Sequence, residues 1–330
     1  MAISTPRGRR TVLAGGACWA LASALPARAA LPDKPMRLIV GSSAAGGTDK
    51  MARSIAARLE TRIGRHVTVQ NKPSFNGAAG GEALLKGTND GTALSFMNSE
   101  VLAGKLLIAD FPFDPLKDIT PVTIAGNSQT GLAVSARTGG IATFEDYLAW
   151  LKGGDAERRR IGVGPCPTFA EVFKHVVEPK IDGKLEFVPY RGAAPMISDL
   201  GTGRLPACLA SVTSLLEYHR GPRLKIVLSS GAARSPLAAN VPTAKELGLP
   251  ALEMPEWFGV FASSGVPAPI VEEWNRQLVA VIGDGEVKAE LQQLGLEVAP
   301  STIADAAKRV GTYLEEWKQC LARLGLGRPA

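Results

Sequence analysis

Met51, Ile55, Leu59 and Ile63 recur every four residues, which puts one apolar stripe on a helix behind the apolar run MRLIV, Met36 to Val40. Gly64 stands where such a helix should stop. HVTVQN and TALSFMN then read as second and third strands, the latter ending at Asn98 and Ser99. From Gly131 the pattern restarts. GLAVSA, RIGVG, LEFVPY, LPACLAS and LKIVLSS are short, nearly continuous apolar runs of the kind carried by buried parallel strands. Helical spacing fills the intervals Phe144–Lys152, Thr168–Val177, Ala193–Leu200 and Val212–His219. After Pro250 come a further strand, EWFGVFA, and helices starting at Ala268 and Gly285. The last helix is the most regular, with Ile303, Ala307, Val310, Leu314, Trp317, Leu321 and Leu324 at spacings of three and four. The alternation predicts an α/β architecture with two sheets and leaves the boundary between them open.

Between the first strand and its helix lies VGSSAAGGTD, Val40 to Asp49. Gly41, Gly46, Gly47 and Thr48 fall on the phosphate-loop pattern G-x-x-x-x-G-K-[ST], but Gly47 occupies the lysine's place, so the point charge for nucleotide phosphates is missing. Two readings remain. The segment is a backbone that approaches a ligand closely at a helix N-terminus, whose free N–H groups favour an anion. Otherwise it is a plain tight turn with Thr48 or Asp49 as the helix cap.

Composition changes the picture mainly at the start of the chain. Arg7, Arg9 and Arg10 precede an apolar stretch from Thr11 to Leu25 and the sequence Pro26-Ala27-Arg28-Ala29, the order of a secretory leader cleaved after Ala29. RRTVL leaves export by the Sec or the Tat route open. Removing residues 1–29 takes away four arginines and no acid, so the formal net charge of +6 falls to +2. The one short basic run left, ERRR at Glu157–Arg160, reads as a solvated helix end, and no nucleic-acid partner is expected. His66, His175 and His219 are far apart, and Cys166, Cys208 and Cys320 form no C-x-x-C, so neither metal nor cofactor is expected. Sequence leaves a Cys166–Cys208 bridge open.

KPMRLIVGSSAAGGTDKMAR, DFPFDPLKDITPVT, VPYRGAAPMISDLGTGRL, SPLAANVPTAKELGLP and EWFGVFASSGVPAPIVEEWN resemble, in this order, signature stretches of the Bug family, the periplasmic solute-binding proteins of tripartite tricarboxylate transporters. The resemblance spans the chain from about Leu31 to its last helix. It implies a two-domain, type II periplasmic-binding-protein-like α/β fold with a ligand cleft between domains, one discontinuous domain of residues 30–127 and 251–330 and a second of 128–250. The implied ligand is a small organic carboxylate, held mainly by main-chain groups and waters of two βα loops. In this sequence the first loop supplies Ser42, Ser43, Ala45, Gly46, Gly47, Thr48 and Asp49, and the second Gly164, Pro165, Cys166, Thr168 and Phe169. Asn98, Ser99, Glu100, Tyr190, Arg191, Gly192, Ala193 and Ser211 complete the candidate set, with Arg191 the one strong cation expected near the ligand. A membrane transporter, or alternatively a signalling sensor, is the implied partner of a periplasmic monomer.

Three departures from the family pattern matter. Ser42, Ser43, Ala44 and Ala45 replace its usual prolines, and Pro165-Cys166-Pro167-Thr168-Phe169 replaces a Gly/Ser/Thr run. Phe169 is read as a core residue in preference to a stacking contact. Glu100 either binds an amine or hydroxyl of the ligand or, the reading favoured by sequence, turns outward as a solvated acid. An exported enzyme finds little support: there is no G-x-S-x-G and no H-E-x-x-H, and Cys166 between prolines lacks a nearby histidine in sequence.

Overall fold

The computed structural model describes residues 1–2, 31–75, 77–164 and 168–327. Beyond its first two residues, the segment read as a leader lies outside the described residues, as do Pro165 and Cys166. The first half of the chain runs β1 (Met36–Val40), α1 (Gly47–Ile63), β2 (Val67–Asn71), α2 (Ala79–Leu85), β3 (Ala93–Asn98), α3 (Ser99–Ala103) and β4 (Ile119–Ser128). It continues as β5 (Thr130–Ser135), α4 (Phe144–Lys152), β6 (Arg160–Val163), α5 (Thr168–Val177), β7 (Glu186–Pro189), α6 (Ala193–Thr202), β8 (Ala207–Ser211), α7 (Val212–His219) and β9 (Leu224–Ser229). The last part is β10 (Glu256–Ser263), α8 (Ala268–Ile282), α9 (Gly285–Gln293), β11 (Glu297–Val298) and α10 (Ile303–Arg323).

Two sheets result, ordered β11-β4-β10-β3-β1-β2 and β7-β6-β8-β5-β9. Both are mixed where the apolar runs predict parallel strands. β10 lies antiparallel between β3 and β4, and β5 lies antiparallel between β8 and β9. Continuous apolarity reports burial on both faces, which a central antiparallel strand shares.

The apolar stripe of α1, Met51, Ile55 and Leu59, packs with Leu38, Val40, Phe96 and Phe258 of the first sheet and with Trp274 and Leu278 of α8. A second core runs without interruption through both halves, from Trp257, Tyr313 and Trp317 to Phe144, Tyr147 and Phe173. Trp274 is fully buried, and its indole N–H donates to the Gly91 carbonyl at 2.9 Å. Trp274→Phe keeps most of the apolar contact but orphans that carbonyl, so denaturant unfolding should show a loss of about 1–3 kcal/mol. A change within a few tenths would mean that the bond contributes nothing.

The chain passes between the sheets twice, at Gln129 between β4 and β5 and again between β9 and β10. The two passages are tied together. Thr130 N–H donates to Ser230 Oγ and Ser230 N–H to the Thr130 carbonyl, each at 2.9 Å, while Met254 N–H donates to the Ser230 carbonyl at 3.0 Å.

Candidate functional site

Five helices, α1, α3, α5, α6 and α7, start just beyond the carboxyl ends of β1, β3, β6, β7 and β8. Residues from all five helix starts line one cavity between the sheets, the place where open α/β sheets bind ligands. It encloses about 80 Å³, room for a compact molecule.

The loop before α1 is held by Asp49, which is buried. Its carboxylate accepts from Ala45 N–H (2.9 Å), Arg53 Nε (3.0 Å) and Asn71 Nδ2 (2.9 Å). Burial alone would raise the pKa of Asp49, but Arg53, Asn71 and the Ala45 N–H outweigh it and hold the group below the usual carboxylate range. Ala45 sits in the left-handed region at φ 63°. Neither Thr48 nor Asp49 caps the helix, contrary to the plain-turn expectation: the N-cap is Gly46, which has no side chain to offer, and Asp49 instead steadies the loop that precedes it. The Ser42 hydroxyl is buried with no hydrogen-bond partner.

Across the cleft α6 presents a second N-terminus without a side-chain cap, at Gly192 and Ala193. The two ends meet closely. A methyl group at Gly46 would lie 3.9 Å from the Ala193 Cβ and 4.0 Å from its nitrogen. Ser43 N–H donates to the Arg191 carbonyl at 3.1 Å, Gly47 N–H donates to Ser214 Oγ at 3.3 Å, and Lys50 pairs with Glu217 at 2.7 Å. The halves are therefore closed on one another.

One strand over, Asn98 and Glu100 lie at the end of β3. Glu100 does not turn outward: it lines the cavity, and its Oε1 accepts from the Phe169 N–H at the start of α5, 3.1 Å away. The outward reading fails because the acceptor that satisfies this N–H comes from the opposite half, which the local sequence does not contain. Burial, and next to it the negative charge of Glu256, push the Glu100 carboxyl well above 4.5, against the Phe169 N–H. Glu256, also buried, is pushed up to about 7 by desolvation, which outweighs hydrogen bonds from Ser211, Asn98 and Ser128.

Of the candidate residues, Ser42, Gly46, Gly47, Thr48, Asn98, Glu100, Gly164, Phe169, Gly192, Ala193 and Ser211 line the cavity. Phe169 does so while almost wholly buried in the core. Ser43, Ala45, Asp49, Ser99, Thr168, Tyr190 and Arg191 are not among the lining residues. Ser99 Oγ accepts from the Trp257 N–H, and the Tyr190 hydroxyl donates to Asp199 at 2.7 Å. Arg191 lays its guanidinium over Phe75, 4.5 Å from the ring centre. Cys208 is a buried free thiol. Gly41 of the glycine loop lines it too, while sequence reading missed Phe96, Met97, Val101, Thr130, Val163, Ala170, Met196, Leu209, Ala210 and Ser214. Most are strand-end or helix apolar positions whose pattern is that of any core residue. Among the described lining residues Glu100 is the one ionisable side chain. No group of three or more potential metal ligands occurs among the described residues, and none of the described helices is long and apolar enough to cross a membrane.

Residues 51–326 match the family described as the tripartite tricarboxylate transporter family receptor. A protein of Pseudomonas sp. strain P51, the UPF0065 protein in the tcbD-tcbE intergenic region, is 29% identical over 97% of this chain and 95% of its own. The solved structure of the periplasmic binding protein BugD superposes with a TM-score of 0.83 at 21% identity, over 90% of this chain and 100% of its own. That of R. palustris Rpa4515 with adipate gives 0.79 at 25% identity, over 90% and 99%.

Proposed function

The chain belongs to the tripartite tricarboxylate transporter receptor family, and from that premise we propose that it captures a small organic carboxylate between its two sheets and delivers it to a membrane transporter. It is a solute-binding receptor and not an enzyme. Its place of work on this reading is the periplasm, reached by the leader of residues 1–29. Residues 30–127 with 251–330 and residues 128–250 are the two domains that close on the ligand, in a chain acting as a monomer.

One observation carries the ligand class. The N-termini of α1 and α6, neither capped by its own N-cap side chain, converge beside the unpartnered Ser42 hydroxyl in a cavity lined by no cation among the described residues. Fixed N–H dipoles and a hydroxyl suit a carboxylate, since they supply positive potential and directional donors without a desolvated counter-charge. The adipate bound to Rpa4515 is a ligand of this chemistry.

The test is a thermal-shift and calorimetric screen of the purified chain against carboxylates, matched amides and sugars. A carboxylate should raise the melting temperature saturably and remain unconsumed. Ser42→Ala should weaken the best carboxylate by roughly tenfold to a hundredfold, the value of one hydrogen bond to a charged group. Binding confined to the uncharged compounds, or turnover of any of them, would end the proposal.

A further inference from the structure

The cavity carries acid where a carboxylate receptor would be expected to avoid it. α5 also starts at the cavity, which Gly164 and Phe169 line, and the Phe169 N–H there is donated to Glu100. Glu100 comes from the other sheet, on α3, so closing the halves places the protein's own carboxyl group where a second ligand anion would have found a donor. Behind it stands a further buried acid, Glu256, whose Oε1 is held by Asn98 Nδ2 at 3.2 Å. Much of the remaining lining is apolar, Phe96, Val101, Val163, Met196 and Leu209 among it.

We infer that Glu100 is the specificity residue of this cleft, a built-in acid that fills the α5 N-terminus and restricts the ligand to a compact monocarboxylate with an apolar body. The inference rests on the proposed function and narrows it. The ligand's single carboxylate sits at α1 and α6, and its body faces the apolar lining. A second carboxylate would be stripped of water beside two acids, with the Phe169 N–H already used and no lining cation among the described residues to offset its burial. Protonation of Glu100 removes the repulsion but not the occupancy, since the Phe169 N–H still bonds to its carbonyl oxygen. Specificity therefore comes from an element set against the wrong ligand as well as from contacts to the right one.

Calorimetry with chain-matched pairs tests this: butanoate against succinate, hexanoate against adipate, benzoate against terephthalate. The wild-type chain should bind the monocarboxylate of its best pair at least tenfold more tightly. Glu100→Gln, which keeps an acceptor for the Phe169 N–H, should retain that preference, and Glu100→Ser, which vacates the helix end, should move it at least tenfold toward the diacid. Melting curves establish that each variant is folded. A wild-type chain that binds the diacid as tightly as its partner overturns the inference and leaves the carboxylate receptor standing, as does an unaltered preference in folded Glu100→Ser. Binding of no acid in the panel overturns both.

Discussion

Gly192→Ala should leave the fold intact and weaken carboxylate binding on the order of a hundredfold. Gly192 holds φ at 154°, a conformation that side-chain-bearing residues rarely adopt, and a methyl group there would lie 2.2 Å from Ser43 Oγ and 2.7 Å from Ser43 N. The second contact is with backbone, so no rotamer change relieves it. Both contacts exist only while the halves are closed, with Ser43 N–H on the Arg191 carbonyl. A local strain of about 2–3 kcal/mol is therefore charged to the closed form, and apparent affinity falls with the closed fraction. At a carboxylate concentration that saturates the wild-type chain, small-angle scattering should report a larger radius of gyration for the variant, and calorimetry the weaker binding. Unchanged affinity would mean that closure does not bring these backbones together.

The second large effect is on stability against pH. The folded chain holds Glu256 at about 7, above its usual 4.5, so the folded state binds this proton more tightly than the unfolded state. Stability on this account is full below about pH 4.5, falls as the pH rises toward about 7 and is flat above it. The loss is roughly 3 kcal/mol. Glu100, raised by the same burial and by Glu256, acts with the same sign. Asp49, held low mainly by Arg53 and Asn71 against its burial, acts in the opposite sense but below the normal aspartate range, outside this window. His219, lowered from 6.5 by burial, opposes the fall within it. Comparison with Glu256→Gln separates these contributions. The unliganded wild-type chain should melt at a lower temperature at pH 7.5 than at pH 5, and the variant should lose part of that difference, the remainder resting on Glu100. An equal pH dependence in both chains would show that Glu256 titrates normally.

These predictions rest on unequal parts of what sequence made legible. α1 and α10 declare themselves because each buries one stripe and leaves the other side wet. β4 does not: ITPVTIAGNS mixes proline, glycine and hydroxyl residues, yet it lies between β10 and β11 with nearly every residue buried. The five-residue α3 is too short for any period to show. Strand direction is also absent from the apolar runs, since β5 and β10 are buried although each runs antiparallel to both flanking strands. In the site, the loop before α1 is readable because glycine spacing is a local property. Glu100 and Arg191 are misread for one reason: each side chain is claimed by a residue distant in sequence, Phe169 and Phe75 respectively, whereas Tyr190 is taken by Asp199 within its own stretch. Ser214 escapes notice altogether, although it takes the Gly47 N–H across the cleft.

The paired passages at Gln129 and Ser230 have a mechanical consequence. Two strand ends stitched side by side resist sliding and torsion but bend about the line that joins them. The two halves thus share one soft degree of freedom, a bend about that line, and a single bend would part the α1–α6 and α5–Glu100 contacts together.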